Sequence, residues 1–112
     1  GGDEFVIVLP RANAIEGREI CERLRQEIEN FEFLRIEGPY GPPLRIANLI
    51  TASIGVASYH EHVRKRFSID QNKDAFLKLA DRAMYAAKDE GKNCVVMAER
   101  EAEDEDAPKP VE

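Results

Sequence analysis

Two hydrophobic periods alternate along the chain. Phe5-Val6-Ile7-Val8-Leu9 is an unbroken apolar run closed by Pro10, and its length and β-branched content predict a strand covered on both faces, hence a sheet with helices on it. From Asn13 the period changes. Asn13 and Glu16 stand at capping-box spacing, and Ile20, Leu24, Ile28 and Phe31 recur at helical intervals, which predicts an amphipathic helix as far as Asn30. "FEFLRIEGPYGPPLRIANLITASIGVAS" then predicts two strands joined by a turn, because the glycines and prolines of "GPYGPP" interrupt any ladder. In the second of these strands Ile50, Ala52, Ile54 and Val56 alternate with Thr51, Ser53 and Gly55, so one face belongs to the core. Gly55 weakens a strand, and a bulge or the close approach of another backbone or a ligand would explain it. Residues 58–72 are polar and predict a long loop. "DAFLKLADRAMYAAKDEG" predicts a second helix with Phe76, Ala80, Ala83 and Ala87 on one face and Gly91 as its stop. A short strand from Asn93 to Met97 completes the order strand, helix, strand, strand, helix, strand.

Composition narrows the class without naming a partner. The 112 residues are 43% hydrophobic and 34% charged, the balance of one modest globular domain rather than a fibrous or wholly disordered chain. No apolar stretch approaches the ~20 residues of a membrane span, and the start lacks a signal-peptide pattern, so the expected location is cytoplasmic with no membrane contact. The net charge of −6 is unevenly spread: residues 99–112 hold seven acids and two bases, leaving 15 acids against 14 bases in the first 98 residues. Residues 99–112 therefore predict a self-repelling, disordered acidic tail, and overall acidity says nothing about what the folded part binds. Arg64-Lys65-Arg66 is a basic cluster without a basic or aromatic stripe to extend it, so it predicts a solvated surface and no nucleic-acid partner. Cys21 and Cys94 predict small apolar packing residues, and His60 and His62 have no partner at zinc-site spacing.

The candidate chemistry gathers at two places. Asp3 and Glu4 are consecutive carboxylates after two glycines, Gly1 and Gly2, that let a ligand approach the backbone closely. A turn with exposed acids accounts for the glycines; the acid pair also suits Mg²⁺, which binds through one or two carboxylates together with substrate phosphates. Two such ions can activate an attacking oxygen and stabilise the leaving one. Lys88 and Lys92 bracket the helix end at Gly91. A lysine in a last helical turn is favoured by the helix dipole, which explains Lys88 better than Lys92. Gly91-Lys92 is no Walker A loop, since the earlier glycine and the following Ser or Thr are missing.

Three segments together resemble one family. "GGDEF" at residues 1–5, "TASIGVA" at 51–57 and "ADRAMYAAKDEGKN" at 80–93 look like the recurrent segments of the GGDEF domains, the diguanylate cyclases, in that family's order. The resemblance implies an α/β (α+β sandwich) domain with a palm-like nucleotidyl-cyclase fold, its central, mostly antiparallel sheet flanked by helices. It implies condensation of two GTP into cyclic di-GMP and pyrophosphate across a homodimer, the 3′-hydroxyl of one GTP attacking the α-phosphate of the other. Carried onto this chain, Gly1 and Gly2 would lie against the nucleotide, and Asp3 and Glu4 would be catalytic and would ligate Mg²⁺ or Mn²⁺. Asp3 would be a candidate acceptor of the hydroxyl proton, and Lys88 and Lys92 would neutralise the terminal phosphates. Phe5 remains a core residue of its strand. Arg23 falls where some members have an arginine that touches product, although an exposed arginine on an amphipathic helix needs no such role.

In that family the signature is the turn of a hairpin, with a preceding strand, a further metal-binding aspartate and the guanine-reading helices upstream. Residues 1–98 are therefore expected to be the C-terminal portion of such a domain, its N-terminal part absent, with a sensor or receiver domain upstream in the parent protein. The isolated chain is expected to be inactive and to carry an uncovered sheet edge able to pair with a second copy. The alternative expectation for the parent is an inactive module that binds GTP or cyclic di-GMP and regulates a partner.

Overall fold

A computed structural model describes residues 3–32, 34–36, 38–39, 41–42, 44–46 and 49–102. In chain order these form α1 (Ala14–Asn30), β1 (Leu34–Ile36), β2 (Leu44–Ile46), β3 (Ile54–Val56), α2 (Tyr59–His62), α3 (Ile69–Asp89) and β4 (Val95–Met97). Helix α1 starts where its sequence says it should. The Asn13 side chain accepts from the Glu16 backbone N–H at 2.8 Å, and the Glu16 carboxylate accepts from the Asn13 N–H at 3.2 Å, so two otherwise orphaned amides are satisfied reciprocally. A third is taken from a distance: the Ala14 N–H donates to Glu61 Oε2 of α2 at 2.7 Å.

Strands β3 and β4 pair in parallel, Ile54 opposite Val95 and Val56 opposite Met97, with α3 running between them as the crossover. The helices cover this pair on opposite faces. A Cβ built on Gly17 of α1 would lie 3.4 Å from Val56 Cγ1, whereas one built on neighbouring Gly55 would run into the α3 backbone at Ala80, Ala83 and Met84. Successive strand residues point to opposite sides, so Val56 faces α1 and Gly55 faces α3. The close backbone approach anticipated at Gly55 is thus supplied by α3, whose small residues permit it: Ala75, Ala83 and Ala87 are buried along its inner face, with Leu79 and Asn72. Val63, Ala75, Leu79, Ala83 and Ala98 form the core cluster, flanked by Ala57, Phe76 and Val96.

Several expectations are corrected. Phe5–Leu9 is not a covered strand: Phe5, Val6, Ile7 and Val8 are 86%, 74%, 61% and 73% exposed and have no ladder partner among the described residues. A strand is stabilised by its neighbours, and apolar content alone supplies none. The region from Phe31 onward holds three strands rather than two. β1 and β2 make an antiparallel hairpin with Leu34 opposite Ile46, and β3 is confined to Ile54–Val56 while Ile50 is half exposed. The mixed helix-and-strand class is met; the described residues hold two separate two-stranded sheets, the antiparallel β1–β2 pair and the parallel β3–β4 pair.

Residues 58–72 are not simply a loop, since they contain α2 and the first turn of α3. Ser58 caps α2 by accepting from the Glu61 N–H, while its own N–H donates to Nδ1 of the buried His62 at 2.8 Å. Asn72 clasps the backbone of Arg66, accepting from its N–H at 2.7 Å and donating to its carbonyl at 3.3 Å. The basic cluster is correspondingly engaged rather than merely solvated. Arg66 forks onto Glu101 at 3.0 and 2.8 Å, and the Lys65 ammonium lies 4.0 Å from the centre of the Tyr59 ring while bonding the Tyr59 and Val63 carbonyls. Glu101 is therefore docked at the start of the acidic segment; residues 103–112, where most of the expected disordered tail falls, lie outside the described residues. Cys21 and Cys94 are free and half-buried, and burial raises the Cys21 thiol above its ordinary value.

Candidate functional site

The lysine side of the site is built by the end of α3. Gly91 has φ +116° and stands just past the helix, and the Lys92 N–H reaches back to the Ala87 carbonyl at 3.0 Å. That six-to-one bond across a left-handed glycine is a Schellman closure, so the stop predicted at Gly91 is a specific hydrogen-bonded device. It turns the chain sharply at Lys92, which itself has φ +65° and is exposed. Lys88, one turn earlier, is 39% exposed at its side chain and lies over the Tyr85 ring, 5.2 Å from its centre. The spacing of three on a helix that brings Tyr85 and Lys88 together is a signal present in the sequence.

The acid side arrives from the opposite end of the chain. Glu4 Oε1 is 3.8 Å from Lys88 Nζ, so the carboxylate expected at a metal and the ammonium expected at a phosphate share one small region across 84 residues of sequence. Asp3 lies in the turn beside Glu4 and is exposed. The structure thus joins Glu4 with Lys88, keeps Asp3 and Lys92 open to solvent, and leaves Gly1 and Gly2 outside the described residues. Asp3 and Glu4 are hard oxygen donors of the kind Mg²⁺ takes with substrate phosphates, which fits a pair rather than an all-protein cage; among the described residues no three His, Cys, Asp or Glu side chains cluster as a metal site.

Behind the lysine turn stands a network that sequence reasoning missed. Arg25 of α1 pairs with Glu22 and with Glu29 and donates to Asn93 Oδ1 at 2.9 Å; Asn93 Nδ2 donates to Glu29 at 2.7 Å, and the Asn93 N–H donates to Ser53 Oγ at 3.2 Å. The Glu22 bond, then Glu29, holds the Arg25 guanidinium above its ordinary value, and the same bond lowers the Glu22 carboxyl. The spacings Glu22–Arg25 and Arg25–Glu29 are legible on a helix; the reach to Asn93, 68 positions on, is not. Arg23 is exposed and lines a shallow groove with Arg18, Glu19, Glu22 and Val95. Among the described residues no helix is long and apolar enough to cross a membrane.

Comparison with known proteins matches residues 1–94 to the model of the diguanylate cyclase GGDEF domain. The chain is 31% identical over 97 residues to a probable diguanylate cyclase, DgcT, of Escherichia coli K12, covering 87% of this chain and 19% of that protein. It is 31% identical over 96 residues to the response regulator PleD of Caulobacter vibrioides, covering 86% and 18%, and 29% identical over 98 residues to diguanylate cyclase A of Treponema denticola, covering 88% and 22%. It spans about a fifth of the length of these curated relatives, and no solved structure matches it. With the signature acids, the strand segment and the lysine-bearing helix end all inside the matched region, the chain belongs to the GGDEF domain family of diguanylate cyclases.

Proposed function

We propose that the protein carrying this chain condenses two GTP into cyclic di-GMP with release of two pyrophosphates, and that Asp3, Glu4, Lys88 and Lys92 belong to the site. The observation that carries this reading is the approach of Glu4 to Lys88 at 3.8 Å inside a matched diguanylate cyclase domain. A carboxylate and an ammonium at that distance, both part-exposed, suit a polyphosphate and its counter-ion better than they suit each other, because an exposed pair contributes little stability. Lys88 and Lys92 neutralise the terminal phosphates and so favour pyrophosphate as leaving group. Asp3 accepts the proton of the ribose 3′-hydroxyl as its oxygen bonds to the α-phosphorus of the second GTP and the bond to pyrophosphate breaks. The same exchange in the opposite sense closes the ring.

Asp3 and Glu4 would hold Mg²⁺ or Mn²⁺, which supplies Lewis-acid stabilisation of phosphoryl charge. Gly1 and Gly2 would lie against the nucleotide. The palm-like arrangement, with a mostly antiparallel central sheet completed by strands preceding these residues, belongs to the same reading. So do homodimeric catalysis, a cytoplasmic location and an upstream regulatory domain, for which the likeness to a protein named as a response regulator is support. Residues 1–98 are the catalytic portion and residues 99–112 an acidic extension.

The test is a chromatographic assay for cyclic di-GMP on the complete gene product with GTP and Mg²⁺. Asp3→Ala and Glu4→Ala should each lower turnover by at least about 10²-fold, the range for groups acting on the reacting centre. A folded dimer that binds GTP yet forms no product would instead identify a regulatory binding module.

A further inference from the structure

We propose that Arg25 is a positioning residue: acting through Asn93, it sets the Gly91–Asn93 turn and so fixes where Lys92 meets substrate phosphates. This rests on the reading of Lys92 as a phosphate ligand. The turn is an improbable one to leave unsupported, since Gly91, Lys92 and Asn93 have φ values of +116°, +65° and +48°. Glycine and asparagine tolerate the left-handed region; lysine lacks the short polar side chain that lets asparagine bond its own backbone there. The Schellman bond secures the Lys92 amide from the helix side. On the far side every polar group of the Asn93 side chain is occupied: Oδ1 by Arg25, Nδ2 by Glu29, while its N–H is taken by Ser53 at the entry to β3.

Arg25 is the hub of that arrangement. Its side chain is only 14% exposed, and its Nη1 donates to Glu29 at 2.7 Å as well as to Asn93 at 2.9 Å. One planar guanidinium therefore orients the carboxylate and the amide together, which a point charge could not do. The strain the network offsets is located at the lysine itself and its neighbour. Losing Arg25 should thus move Lys92 rather than merely loosen α1.

The experiment uses the complete gene product, with amide hydrogen exchange at residues 92 and 93 read beside kcat and KM for GTP. Arg25→Met should speed exchange at both amides by about tenfold or more. It should raise KM for GTP about tenfold while kcat at saturation stays within about twofold, the pattern of a displaced binding group. Arg25→Met combined with Lys92→Ala should be no worse than Lys92→Ala alone, and Arg25→Lys should restore the function only in part. Unchanged protection at 92 and 93, or KM losses that multiply in the double variant, would overturn the proposal. Looser amides in Arg25→Met together with normal GTP binding by Lys92→Ala would overturn it through the phosphate reading, leaving only a structural clamp. Should Arg25→Met fail to fold, Asn93→Gly leaves the left-handed φ accessible while removing the bonds to Arg25 and Glu29, and the same readouts apply.

Discussion

Glu101 fastens its own segment to residues 62–66 at three points. Its carboxylate accepts from the Arg64 N–H and from both arms of Arg66, and its own N–H donates to the His62 carbonyl. The bond from Arg66, ahead of that from the Arg64 backbone, holds the Glu101 carboxyl below its ordinary value of 4.5. Stability from such a depressed carboxyl is complete above the unfolded value and is lost as pH falls through the folded one. Glu101→Gln should therefore cost about 1 kcal/mol at neutral pH, the scale of a partly exposed charge-assisted pair. The difference from the parent chain should shrink as urea titrations are taken below pH 4.5; a gap independent of pH would mean that packing and not charge is lost. Nothing local in the sequence reveals this residue, because its partners lie 35 and 37 positions away. Asn13 and Glu16 show the contrary case: a capping box closes within four residues, so its spacing is its structure.

Two glycines distinguish the elements that merely touch from those that interlock. A methyl on Gly55 would meet the Ala80 carbonyl oxygen, the Met84 nitrogen and, at 2.8 Å, the Ala83 carbonyl carbon. These are helix backbone atoms, which cannot rotate away as a side chain would. Gly55→Ala should cost about 3 kcal/mol or more, the upper end of overpacking, and thermal melts should show the loss directly. Among the described residues Gly17→Ala meets only Val56 Cγ1 at 3.4 Å and Leu9 Cδ1 at 4.0 Å, and replacing a helical glycine should stabilise by about 0.5–1 kcal/mol. A melt lowered by Gly17→Ala would show that α1 packs against β3 with no space to yield. Helices α1 and α3 were legible because their apolar spacing and caps are local. The Phe5–Leu9 run and the 58–72 segment are not legible from local pattern, because strand pairing and the docking of α2 depend on partners remote in sequence. The same limit holds at the site: Lys88 and Glu4 were each legible as candidates, and their meeting at 3.8 Å was not.

At the scale of the molecule, Phe5–Val8 is an apolar surface of four consecutive side chains, each more than half exposed, beyond the scattered single residues a monomer normally shows. The 112-residue chain alone should self-associate with rising concentration, and Val6→Lys together with Val8→Lys should suppress it in sedimentation velocity. The same isolated chain should form no cyclic di-GMP, and steady product from it would show that residues 1–112 suffice for catalysis. The contact between Gly55 and α3 has a mechanical consequence. With backbone against backbone, the helix is keyed into the strand pair and cannot slide along it by even one residue's rise of ~1.5 Å without lifting off. Lys88 and Lys92, at the far end of that helix, consequently travel with β3 and β4 as a single anvil.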